Sequence, residues 1–215
     1  MKKFFISILA LAIFSGSAFS KQWTNNIGAG VSFPLSSIGV SETNSKDIFQ
    51  TGYGIEGTYI GLHENDFTAK ANISIGLAAS NDLSSKESTE CGVFENIALG
   101  AGYSFVNTES ALFGITGMFG VEMGQYSFAD EDDETSLSLV TISFGADIFG
   151  IYRFNERIGL FANLNTRWIA DGTARSEIET ESIINGSKKQ VTNSENTDLS
   201  GKFILQPTIG VIWSF

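Results

Sequence analysis

One cysteine, two prolines and one histidine are few for a chain of 215 residues. Each scarcity excludes something. Cys91 alone cannot form an internal disulfide, so the fold must hold without one, and a free thiol in a loop is expected there. Two prolines leave long stretches free to donate every backbone N–H to a sheet. Basic residues are also scarce: 13 Lys and Arg stand against 24 Asp and Glu, a formal charge of −11. Phosphate backbones are bound by clustered Lys and Arg, so no nucleic-acid partner is expected. Long apolar runs are missing as well. The longest lies at the start, and it is too short for a membrane-spanning helix, which takes about 20 apolar residues.

That first run has another reading. Lys2 and Lys3 precede an apolar stretch over 4–14, and small residues follow up to Ser20. This is the order of a cleavable export signal. Residues 1–20 are therefore set aside as a signal peptide, and 21–215 are read as one domain. Removing Lys2 and Lys3 takes the formal charge from −11 to −13.

What remains is rich in Gly and Phe, with 23 and 18 of them, and it alternates. Side chains that change face every second residue mark a β-strand with two unlike faces. Eight such segments are predicted, over 22–34, 48–61, 67–80, 93–106, 111–127, 138–153, 158–170 and 203–215. In the last, Phe203, Leu205, Ile209, Val211, Trp213 and Phe215 share one face. Gln206, Thr208, Gly210 and Ser214 share the other, with Ile204 and Ile212 as exceptions. Pro207 lacks an N–H, so a bulge or a lost ladder bond is expected there. Each segment exceeds the 9–11 residues that a tilted strand needs to cross a bilayer. The connections 62–66, 107–110 and 154–157 are short. Those at 34–47, 81–92, 128–137 and 171–200 are long. This asymmetry predicts an all-β fold, an eight-stranded antiparallel up-and-down transmembrane β-barrel, with both termini on the short-turn side. Asn185-Gly186 is a favoured hairpin turn. Strands seven and eight should therefore project beyond the barrel as a ribbon.

Period 2 alone does not say which face is outside, because a soluble ligand-binding barrel alternates too. Three features favour lipid. The polar face is mostly Gly, Ser, Thr and Asn, which suits a narrow filled lumen better than a solvated surface. Its ionisable residues are of both signs: Glu56, Lys70, Glu122, Asp147 and Arg167. Glu56 and Lys70 fall on neighbouring strands, as do Asp147 and Arg167, and pairing within a lumen network is expected. Aromatic residues gather near the ends of the apolar face, among them Trp23, Phe49, Phe67, Phe105, Phe113, Tyr152, Trp168 and Trp213, as in interfacial girdles.

The signal, the eight strands, the loop asymmetry and the ending Ile209-Gly210-Val211-Ile212-Trp213-Ser214-Phe215 resemble small outer-membrane barrels of the OmpW, OmpX and OmpA type. The segment Ile27-Gly28-Ala29-Gly30-Val31-Ser32-Phe33-Pro34 is similar to a spirochaetal family of uncharacterised outer-membrane barrels. The resemblance implies the bacterial outer membrane, with long loops extracellular and termini periplasmic. It also implies contact with membrane lipid and insertion by the barrel-assembly machinery, which would read Ile209, Val211, Trp213 and Phe215.

Little points to chemistry. His63 falls in a short turn, and no serine nucleophile can be placed with it. Lumen carboxylates could support glycoside-type chemistry, but each lies near a cation. The run Asp130-Glu131-Asp132-Asp133-Glu134 lacks the interleaved oxygen ligands and the glycine of a calcium loop, so it reads as a solvated acidic loop. No enzyme activity, cofactor or metal is expected. The four long connections hold sixteen acidic and five basic residues, a net −11. A soluble partner should thus be cationic or bridged by a divalent metal. The leading expectation is a monomeric barrel that displays acidic surface loops over a largely plugged lumen, in a structural or interaction role. A narrow channel for small or apolar solutes, as in OmpW-like proteins, is the alternative. A secreted soluble ligand-binding barrel is the third.

Overall fold

Alternating segments pair in sequence order. The computed structural model describes residues 23–39, 47–82, 91–129, 133–184, 187–198 and 203–215, so the signal segment lies outside them. The strands are β1 (Trp23–Ser32), β2 (Leu35–Gly39), β3 (Asp47–His63), β4 (Phe67–Asp82), β5 (Cys91–Asn107), β6 (Ala111–Ala129), β7 (Asp133–Arg153), β8 (Ile158–Ile184), β9 (Ser187–Asp198) and β10 (Phe203–Ser214). No described residue is helical. All pairings are antiparallel. β3 to β8 follow one another, β10 pairs with β8, and β1 pairs with both β10 and β3. The result is a closed eight-stranded antiparallel up-and-down barrel. Closure leaves no backbone edge within the wall.

β1 and β2 are one strand. The register against β10 runs from Ser32↔Thr208 to Leu35↔Leu205 without a shift. It is equally continuous against β3. The break at Phe33 and Pro34 is one of hydrogen bonding. Phe33 N donates to Pro207 O and Gly52 N donates to Pro34 O, both at 2.9 Å. Neither proline can return the bond. The bulge considered at Pro207 is absent and the lost ladder bond is present, because missing one donor strains the ladder less than shifting the register of a closed wall. Real register shifts occur elsewhere, between Ser104 and Val106 on β5 and between Ile142 and Ser143 on β7.

Side chains close the short turns. Asp66 adopts φ 64°, a conformation that Asp tolerates, and Asn65 Oδ1 accepts from Phe67 N. Thr108 Oγ1 exchanges bonds with the backbone of Ala111. Asn155 Oδ1 accepts from the N–H groups of Arg157 and Ile158 at 2.9 Å. His63, expected in the first turn, is instead the last residue of β3, paired with Trp23, with Nδ1 2.8 Å from Asn65 Oδ1 in the turn and its ring edge-on to Trp23.

The opposite end differs from the loops expected there. β8 is 27 residues long and β7 is 21. The upper part of β8 pairs with β7 on one side, from Thr141↔Gly172 to Asp133↔Thr180, and with β9 on the other. β6 extends beside them to Ala129↔Glu134. Four strands thus project as a sheet, broader than the two-stranded ribbon expected from Asn185-Gly186, whose own turn lies outside the described residues. Asp133 and Glu134 begin β7 and are not loop, while Asp130, Glu131 and Asp132 lie outside the described residues. Cys91 is also not in a loop. It opens β5 and pairs with Ala79.

Candidate functional site

The wall sorts its residues by face. Ile27, Val31, Ile55, Ile73, Ile75, Phe119, Phe144, Ile209 and Val211 all point outward and are exposed. Glu56, Lys70, Asp147 and Arg167 point inward and are at most 2% exposed, and Glu122 is 8% exposed. Exposed aromatics cluster toward the short turns, where Tyr103, Phe105 and Phe113 form a chain of ring contacts and Tyr152 meets Phe154. The side chain of Phe49 lies outside the described residues.

The lumen is filled in layers. Next to the short turns Ile60, Leu62, Leu112, Phe149, Ile151, Phe161 and Ile212 form an apolar cluster, each 4% exposed or less. Outside it, an open recess of about 750 Å³ lies among the turns, lined by His63, Glu64, Glu109, Arg153 and Glu156. Inward of the cluster the lumen turns polar. Lys70 Nζ bonds Asp147 Oδ1 at 2.5 Å and sits 5.2 Å from the ring centroid of Phe149. Asn165 donates to the other oxygen of Asp147. Arg167 donates from Nη1 to Asn96 Oδ1 at 2.6 Å and from Nη2 to Gln206 Oε1 at 3.1 Å, and Glu122 lies 3.8 Å away. Glu56 accepts from Asn163, Gln206 and Thr208 at 2.9 to 3.0 Å. Further toward the long connections, Phe94, Leu139, Ile169 and Ile204 are buried again.

The pairing is not the one that strand adjacency suggests. Glu56 does not pair with Lys70, nor Asp147 with Arg167. Inward side chains in a barrel this narrow reach across the lumen, so Lys70 on β4 meets Asp147 on β7. Glu56 has amides and a hydroxyl as partners and, among the described residues, no cation in bonding range. Gln206 and Asn96 tie the groups together: Gln206 bonds Arg167, Glu56, Ser74 and Asn96. Both fall on the polar face by alternation, but nothing in a roll of face residues tells which ones converge. The room for Arg167 comes from glycine. A Cβ on Gly120 would lie 2.5 Å from Arg167 Nη1, and one on Gly145 would lie 1.9 Å from Thr166 O.

Solved structures share this architecture. OprG, an outer membrane protein from Pseudomonas aeruginosa, matches with a TM-score of 0.54 at 13% identity, covering 89% of this chain and 95% of that one. A major outer membrane protein from Thermus thermophilus matches with a TM-score of 0.52 at 12% identity, covering 87% and 99%. The fold is that of small outer-membrane β-barrels. No protein-family model and no curated protein matches the chain. In the lumen an apolar cluster near the short turns is followed by the polar network around Arg167 and Glu56.

Proposed function

We propose that this protein is an integral outer-membrane barrel whose lumen is a structural plug and whose working surface is the projecting sheet and the long acidic connections. The observation that carries the reading is the filled lumen: an apolar cluster near the short turns is followed by a cross-barrel polar network, with Phe94, Leu139, Ile169 and Ile204 also buried. Hydrated ions and small solutes need a continuous polar path, and the apolar cluster interrupts one. Purified protein in planar bilayers is expected to give no discrete conductance steps in molar salt. Reproducible steps would transfer the assignment to a narrow channel.

Lipid contact follows from the outer face. A belt of exposed Ile, Val and Phe flanked by aromatics gains free energy only where water is absent. In water it would be an apolar surface far larger than soluble monomers carry, which argues against the secreted soluble reading. The short turns are assigned to the periplasm and the projecting sheet to the cell exterior. An impermeant maleimide should label cysteines placed at Ser136 and Asn185 on intact cells, in a Cys91→Ser background. A cysteine at Asn155 should react only after the envelope is opened. The reverse pattern would invert the orientation.

No catalytic role is assigned. His63 bonds Asn65 in the adjoining turn, and no group of three or more His, Cys, Asp or Glu suited to a metal occurs among the described residues. The strong negative charge of the long connections favours cationic or divalent-metal-bridged partners, with an attraction that salt screens. The barrel-assembly machinery is proposed as the partner for insertion, and the folded state as a monomer.

A further inference from the structure

One carboxylate is on the wrong face. On β5 the outward positions run Val93, Glu95, Ile97 and Leu99, and Glu95 is exposed between apolar neighbours. Its cross-strand partners are Ile75 on β4 and Met123 on β6. Among the described residues, no other outward carboxylate has apolar outward residues on both sides along its own strand. The Glu95 side chain has no hydrogen bond or ion pair among the described residues. It opens instead on a shallow groove of about 120 Å³, lined by Val93, Glu95, Met123, Gly124 and Gln125. Phe105 marks the short-turn aromatics on the same strand. Ten residues separate it from Glu95, a height of about 25 Å for a strand rising about 3.3 Å per residue and tilted by about 40°. That is the height of the apolar band itself. Glu95 therefore stands at the far edge of the belt, level with lipid headgroups.

We propose that this groove binds a lipid headgroup carrying a primary ammonium next to a phosphate, of the phosphoethanolamine type. The proposal rests on the membrane reading above. Glu95 accepts the ammonium N–H groups, the Gln125 amide donates to a phosphate oxygen, and Ile97, Ile75 and Met123, on the belt side, take the first part of an acyl chain. A carboxylate flanked by apolar side chains at headgroup level is complementary to the cationic part of a lipid headgroup. One carboxylate does not supply the six or more oxygen ligands that a calcium ion takes, and the groove is too small for a folded partner. A trimethylated headgroup has no N–H to donate, so the site discriminates phosphatidylethanolamine from phosphatidylcholine.

The full-length mature barrel, refolded into mixed micelles with equimolar phosphatidylethanolamine and phosphatidylcholine, is to be analysed by native mass spectrometry. Retained lipid should favour phosphatidylethanolamine by about fivefold, the most that an interfacial ion pair supports. Glu95→Gln should bring the ratio to about one, and Gln125→Leu should reduce it in part. Heat-modifiable migration of both variants is the folding control. An unchanged ratio in Glu95→Gln overturns the proposal. So does loss of retained lipid on EDTA treatment, which would mean a bridging metal, or a wild-type dimer that Glu95→Gln dissociates, which would mean a second copy. Insertion into vesicles without lipid preference removes this site alone. Failure to insert into any vesicle removes the membrane reading with it.

Discussion

Deleting Trp213, Ser214 and Phe215 is expected to abolish the folded barrel. These residues close the seam between the first and last strands. Asn25 and Phe215 exchange both backbone bonds, at 3.1 and 2.9 Å, and Ser214 N donates to Arg157 O at 2.7 Å. Ser214 Oγ also bonds Asn26 Oδ1 at 2.7 Å, and Trp213 pairs with Ile27 and Ile158. A soluble sheet that loses a strand end exposes its partners to water, which satisfies them. A lipid-bound wall has no such substitute, and each orphaned backbone group costs several kcal/mol. The loss is on the order of 5 kcal/mol or more, comparable with the whole stability of a typical domain. Truncated protein should therefore stay protease-sensitive and lose heat-modifiable migration. Refolding into vesicles free of any assembly machinery separates two causes. Failure there implicates the seam, whereas failure in cells alone implicates recognition of Trp213 and Phe215 by the machinery. Protease-resistant truncated protein accumulating normally would refute the seam argument.

Arg167→Ala should destabilise the barrel by about 3–5 kcal/mol, since it leaves Glu122 buried with its cation removed and frees the acceptors of Asn96 and Gln206. Arg175→Ala, at an exposed position on the projecting part of β8, should cost about 0.5 kcal/mol or less. Urea unfolding in vesicles measures both, and equal midpoints would contradict a stabilising network. A second comparison tests the mechanism. Arg167 Nε and Thr141 Oγ1 find no partner among the described residues, so the network does not saturate its own polar groups. A pair that is only partly compensated is one that apolar residues replace well. Arg167→Met combined with Glu122→Leu should recover most of the stability lost by Arg167→Met alone. If the double variant is as unstable as the single one, Arg167 acts through Asn96 and Gln206 and not through the carboxylate.

The limits of reading alternation show at particular residues. Val31, Ile55 and Phe119 are assignable to the outer face because period 2 holds along each strand. Ile204, Ile212, Ile60 and Leu112 break the polar face of their strands, and the structure buries all four inside, with Ile60, Leu112 and Ile212 in one apolar cluster. A plug needs such exceptions, yet in sequence they look like noise. Glu95 is legible in the same way, as a charge between Val93 and Ile97. It escapes notice because a lumen network is the place expected to hold charge.

Strand count, the short-turn side and the two-faced wall were all legible in the residue pattern. All three follow from period 2 and from turn chemistry, which are local. The pattern also located the ionisable lumen residues, since inward positions are fixed by the same alternation. That Lys70 meets Asp147, that Gln206 joins Glu56 to Arg167, and that four strands continue past the rim emerge only in the folded barrel. Those choices depend on barrel diameter and on register around a closed ring, and no local pattern encodes which inward side chains arrive at the same height.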